Sequence, residues 1–266
     1  MSTATDRAAL LRLVDANTWE MYREICRLAR GSILVETAGL TLVRRPHALP
    51  WHNMVIVRDV IDADALLAAV HRLHGDGERC FSVWTRAHVP TDVGLAAALR
   101  ARGFADLSLM PNMVLHADPG TPCRPAGLEV RAVVDEAGRR DFARVTSAAY
   151  GPDFQVPAPL VEDTFVSPLS LTAAHVQGFV GYVERTPVAA AGVWLAHGVA
   201  GINFVGTVPE HRGHRYAEAV TWAAVREGFR RGAAFASLQP THLGRPVYER
   251  MGFVEVTQYP LLVESA

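Results

Sequence analysis

The residues best suited to chemistry lie in GINFVGTVPEHRGHRYAEAVTWAAVREGFRRG, positions 201–232. An apolar strand ends at Val208-Pro209, an Arg-Gly turn follows, and a helix starts almost at once. Its apolar residues Ala217, Val220, Ala224, Val225 and Phe229 recur at helical spacing. A glycine-containing turn between strand and helix aims backbone N–H groups at one point. The positive end of the helix dipole adds to them, so the junction predicts an anion site. Pro209 cannot donate to a sheet ladder, so the strand must stop or splay there. A splayed strand leaves backbone groups free to pair with an extended ligand. A nucleotide phosphate loop fits poorly, because Gly-x-x-x-x-Gly-Lys-[Ser/Thr] is missing and no acidic metal site accompanies the turn.

A mixed sheet of the α/β or α+β kind is the frame expected around this junction. In the second half, a strand at about 128–134 and a helix at about 135–149 precede a Pro-rich loop, GPDFQVPAP. Strands at about 175–184, 187–196 and 199–208 follow, then a helix at about 213–230, a strand at 233–239, a helix at 244–251 and a strand at 253–263. The first half reads as a helix over about 5–29, strands near 32–37, 40–45 and 53–58, and a helix from Asp62 to about His74. It closes with FSVWTRAHVPTDVGLAAALRARGF, which echoes FASLQPTHLGRPVYERMGF near the end of the chain. Each is a strand, a turn, a helix and a Gly-Phe that opens an alternating strand. Between the halves, HADPGTPCRPAGLEV is rich in Pro and Gly and reads as a linker. Two domains are expected, 1–117 and 128–266.

The bulk numbers exclude several classes. Formal net charge is −1, with no basic stripe, so no nucleic-acid partner is indicated. No apolar run approaches the ~20 residues that span a bilayer, and the first thirty residues lack the apolar centre of a signal peptide. A cytoplasmic, membrane-free protein is the expectation. Cys26, Cys80 and Cys123 are far apart and match no metal or disulfide spacing. No metal is expected.

VPEHRGHRYAEAV followed by VYERMGF resembles the GCN5-related N-acetyltransferase (GNAT) superfamily, over about residues 128–263. The family pattern is Arg or Gln, two residues, Gly, one residue, then Gly or Ala. Here it covers Arg212, Gly213, His214, Arg215, Tyr216 and Ala217, with Arg215 in place of the central glycine. The resemblance implies the acyl-CoA N-acyltransferase fold, in two halves of which the first is degenerate. It also implies acetyl-CoA as co-substrate, its pyrophosphate on the Arg-Gly turn and its pantetheine arm against the backbone of Val205, Gly206, Thr207 and Val208. Thr241 and Gly244 are expected near the far part of the cofactor. Tyr248, four residues before Gly252, stands where the family often has the acid that protonates the leaving thiolate. The first half has Leu99 at the corresponding place and no Arg-Gly turn.

The implied reaction is N-acetylation of a primary amine on a small molecule or a peptide amino terminus. The alternative is a non-catalytic acyl-CoA-binding module, with Arg215 marking an altered turn. Glu210, His175, His197 and His242 qualify as a general base by chemistry only, and none is assigned. Tyr150, Phe154, the 151–159 loop and Trp194 are expected along the acceptor, with Trp51, His52 and Asn53 as reach-in residues from the first half. Homodimerisation is compatible with everything above.

Overall fold

The computed structural model describes residues 4–28, 31–46, 49–74, 80–117, 120, 124–154, 171 and 173–264. The strands are β1 (Ile33–Glu36), β2 (Leu40–Arg44), β3 (Met54–Val57), β4 (Ser82–Trp84), β5 (Phe104–Leu115) and β6 (Leu128–Ala132), then β7 (Val176–Val183), β8 (Thr186–Ala196), β9 (Val199–Thr207), β10 (Phe235–Leu238) and β11 (Val254–Glu264). The helices are α1 (Ala4–Leu28), α2 (Ala63–His74), α3 (Pro90–Arg100), α4 (Glu136–Phe154), α5 (Tyr216–Arg230) and α6 (Arg245–Arg250). The mixed α/β class expected from the sequence is the class observed.

Two compact units divide the chain, and they are not its two sequential halves. One unit combines α1 with Met113–Val254; the other combines residues 29–112 with the stretch from Glu255 onward. The first helix therefore belongs with the late strands, against the reading that placed it in the first half. Its anchor is Asn17, whose buried amide donates to the carbonyls of Trp194, Ala196 and Val199 at 3.3, 3.2 and 3.1 Å. Sequence periodicity shows that a helix has an apolar face but not which sheet the face meets.

In the unit containing α1 the strand order is β5-β10-β9-β8-β7-β6, with β5 entering as Met113–Leu115. In the other unit it is β1-β2-β3-β4-β11. Each unit is closed by the last strand of the other half of the sequence. Met113–Leu115 pairs antiparallel with β10, and Leu261–Val263 pairs antiparallel with β4. The echo between the two strand–helix–strand segments thus corresponds to a shared arrangement, with the closing strands exchanged.

Helix α5 covers one face of β8 and β9, where Val220, Ala224 and Val225 pack with Val188, Val193 and Ala200 in a buried cluster. Helices α1 and α4 share the other face, where Met21, Ile25, Phe142 and Val145 meet Val180 and Trp194. The second unit has its own core, built on Leu40, Val55, Leu66, Phe81, Leu99 and Leu262.

Candidate active site

Strands β9 and β10 start as a parallel pair, Val199–Gly201 against Phe235–Ser237, and then part. β10 ends at Leu238, while β9 continues to Thr207. Within that continuation β9 carries a bulge. Gly192 faces Asn203 and Ala190 faces Gly206, so Phe204 and Val205 stand opposite Ala191 alone. Phe204 takes a left-handed φ of 54° to make this possible. Its ring packs edge-on against Trp194, with centroids 5.3 Å apart.

Beyond the bulge, the Val208 N–H donates to the Val188 carbonyl at 2.9 Å. Backbone groups alternate sides along a strand. Those of Val205 and Thr207 therefore turn away from β8, into the gap that β10 leaves. Gly206 lies where α4 crosses: a Cβ there would stand 2.5 Å from the Ala149 Cβ.

At the end of β9, Pro209–His211 form one 3-10 turn, and Gly213 (φ 84°) and Arg215 (φ 62°) bring the chain round into α5. The helix was expected from about residue 213; these two left-handed residues delay it to Tyr216. No side chain caps its N-terminus, so the first N–H groups point out along the dipole. Arg215 holds the left-handed conformation in which glycine is the relaxed residue, as expected at a glycine position of the motif. Its side chain turns onto Glu218, with Nε and Nη2 at 3.0 and 2.6 Å from the carboxylate oxygens. It therefore does not block the turn. Arg212 donates to the Ala149 carbonyl at 3.2 Å, tying the turn to the end of α4. His214 stacks on the Tyr216 ring, centroids 5.3 Å apart.

Tyr248 is buried in α6, and Gly244 makes room for its ring: a Cβ at Gly244 would sit 3.0 Å from Tyr248 Cε2. Gly244 N–H donates to the Thr241 carbonyl and hydroxyl at 3.1 and 3.2 Å, so Thr241, Gly244 and Tyr248 form one corner. Burial, then the neighbouring Tyr150, push the Tyr248 phenol well above the ordinary tyrosine range. Tyr150 lies in the gap itself, its hydroxyl donating to the Val205 carbonyl at 2.8 Å. Tyr22 of α1 is also raised, by burial first and then by Cys26 and Tyr150. Tyr150 thus bears on both other phenols, and its own hydroxyl is the one placed on β9. Tyr150 is expected near the acceptor from the sequence; Tyr22 is not, because its helix reads as part of the first half.

Several other expected residues are held in structural settings. Trp194 is a core side chain. His197 lies in the β8–β9 hairpin turn, with φ 54°, at the opposite end of β9 from Thr207. His175 is at that end too, on Glu24 at 2.6 Å. Glu210 is exposed in the 3-10 turn and His242 on the loop before α6. Asn53 is structural: it accepts from the Arg45 N–H at 2.7 Å and donates to the Leu49 carbonyl. The Phe154 side chain, residues 155–159 and Cys123 lie outside the described residues. Among the described residues, no group of three or more His, Cys, Asp or Glu is placed to hold a metal. None of the described helices is long and apolar enough to cross a membrane.

The corresponding junction of the other unit, between β3 and α2, is built differently. There Asp62 Oδ1 accepts from the Ala65 N–H at 2.8 Å, so a carboxylate occupies the helix N-terminus. Asp59 Oδ1 accepts from the Val60 N–H beside it. A carboxylate at a helix N-terminus disfavours an anion there.

Residues 188–256 match the profile of the Acetyltransferase (GNAT) domain. No curated protein sequence matches the chain. Among solved structures, a GCN5-related N-acetyltransferase from Kribbella flavida is 20% identical with a TM-score of 0.71, over 94% of this chain and 96% of that one. A tandem GNAT protein from the clavulanic acid biosynthesis pathway is 15% identical, TM-score 0.65, over 98% and 95%. A GCN5-related N-acetyltransferase from Sphaerobacter thermophilus is 18% identical, TM-score 0.60, over 98% and 93%.

Proposed function

We propose that this chain, a tandem member of the GNAT acyltransferase superfamily, transfers an acetyl group from acetyl-CoA to the primary amine of a small molecule or a peptide amino terminus. The observation that carries this reading is the parting of β9 from β10 just before an uncapped helix N-terminus. An extended arm with amides at one end and a pyrophosphate at the other matches that layout. Val205 and Thr207 would pair with the amides. Gly213, His214 and the first N–H groups of α5 at Tyr216 and Ala217 would take the pyrophosphate.

In the reaction, the neutral amine attacks the thioester carbonyl carbon and forms the C–N bond. Charge gathers on the carbonyl oxygen, which a backbone N–H of the bulge stabilises. Collapse breaks the C–S bond, and the departing sulfur takes the Tyr248 proton. The amide nitrogen loses its extra proton to water, and water returns one to the Tyr248 oxygen. Tyr248 is protonated at neutral pH, so a proton is available to the sulfur. The unit containing α2 is the degenerate copy, with Asp62 in the phosphate position.

The turn of Arg215 onto Glu218 favours this reading over a module with a blocked cofactor turn. Calorimetric titration with acetyl-CoA tests it, followed by an amine screen with Tyr248→Phe as control. One acetyl-CoA bound per chain and Tyr248-dependent thiol release are expected. Absence of acetyl-CoA binding overturns the assignment.

A further inference from the structure

Tyr150 lies where the donor would have to lie. The alternation fixed by Val208 and Val188 turns the Val205 carbonyl into the gap between β9 and β10. Such a carbonyl on an unpaired strand edge is an acceptor that an extended ligand's amide N–H would seek. In the free protein the Tyr150 hydroxyl already holds it, at 2.8 Å.

Two contacts keep the end of α4 in place while this happens. Ala149 packs on Gly206 so closely that a Cβ on Gly206 would be 2.5 Å from its own Cβ. Arg212 binds the Ala149 carbonyl from the phosphate turn. The helix end cannot withdraw without disturbing both, so Tyr150 leaves the carbonyl by rotating its side chain. The residue is half-buried rather than sealed in the core.

On the reading that acetyl-CoA is the donor, we infer that Tyr150 is a gate on the donor channel: its hydroxyl holds the Val205 carbonyl until a pantetheine amide takes that acceptor, and the freed phenol then meets the acceptor amine. The free protein keeps a part-buried strand edge satisfied in this way. The acceptor side is complete only after the donor has bound, so binding is ordered. Tyr150 thus competes with the donor for one acceptor and then contacts the acceptor amine.

The test is calorimetry of acetyl-CoA with wild type, Tyr150→Phe and Tyr150→Met, with folding checked by circular dichroism. Removing the competing hydroxyl should tighten acetyl-CoA binding roughly three- to ten-fold, the range that one neutral hydrogen bond spans. A purely structural tyrosine would leave affinity equal or lower it. In the wild type, the Tyr150 resonance of a [ζ-13C]tyrosine-labelled sample should shift on saturation with acetyl-CoA. Equal or weaker binding by the folded variants, or a Tyr150 signal unmoved at saturation, overturns the gate and leaves the acetyltransferase reading standing. Absence of binding by wild type and variants alike overturns that reading and the gate with it.

Discussion

Arg215 closes on Glu218. Two nitrogens of the guanidinium meet the two carboxylate oxygens at 3.0 and 2.6 Å, while the Arg215 backbone sits at φ 62° and ψ 22°. Glu218 is buried in the first turn of α5, and Arg250 approaches it at 3.8 Å. An arginine in the left-handed conformation thus neutralises a buried carboxylate at the start of α5.

Arg215→Gly should therefore do two opposed things. It relieves left-handed strain of about 1 kcal/mol, and it strips the nearest cation from a buried carboxylate, a larger loss. A net fall in Tm of a few degrees is expected, together with weaker acetyl-CoA binding. Arg215→Gly/Glu218→Gln should recover most of both. Calorimetry and thermal melts on the two single variants and the double variant check this. Recovery absent from the double variant would mean that Arg215 itself touches the phosphate.

Tyr248→Phe keeps the ring beside Gly244 and removes the hydroxyl. With an acceptor in hand, kcat should fall by roughly 10²–10³, the range of general acid catalysis, while acetyl-CoA affinity stays within two-fold. Steady-state kinetics with thiol detection separates the two. A variant with unchanged kcat would move the acid role elsewhere.

How much of this was legible in the sequence depends on the kind of signal. Pro209, Gly213 and the apolar spacing from Ala217 to Phe229 mark the strand–turn–helix junction locally, so the element order emerged without coordinates. The bulge at Phe204 did not, because a left-handed phenylalanine leaves no trace in composition. Nor did the exchange of β5 and β11 or the docking of α1, which depend on which of two similar sheets meets each element. Tyr22 was missed for that reason. Arg215 was legible as a departure from a motif, but the direction of its side chain depends on Glu218, one helical turn on.

The buried phenols predict behaviour at high pH. Tyr22 and Tyr248 are both raised by burial, and Tyr182 is pushed up to about 12 by burial and then by Asp141. For each, the folded protein holds its proton at a pH where the unfolded chain has lost it. Their contribution to stability is thus complete below pH ~10, the ordinary tyrosine value. It declines as pH rises through the shifted values. Absorbance at 295 nm should show three of the six tyrosines silent to beyond pH 11. Their ionisation should coincide with loss of helical circular dichroism. Six tyrosines titrating together near pH 10 in a folded protein would contradict the burial described.

The docking of α1 can be tested through a size exchange. Asn17 donates to three carbonyls of the β8–β9 hairpin region, and Gly201 lies beneath it: a Cβ there would be 2.3 Å from Asn17 Oδ1. Asn17→Ala should cost about 2 kcal/mol, from lost hydrogen bonds and unfilled space. Gly201→Ala should cost at least as much through the clash, because Asn17 is held by its carbonyls and cannot swing aside. Combining them removes the clash, so the double variant should be more stable than the sum of the single changes predicts, by roughly 1 kcal/mol or more. Urea denaturation of the four proteins gives the coupling directly. Strict additivity would mean that Asn17 and Gly201 do not meet, and the assignment of α1 to the unit that holds β9 and α5 would fail with it.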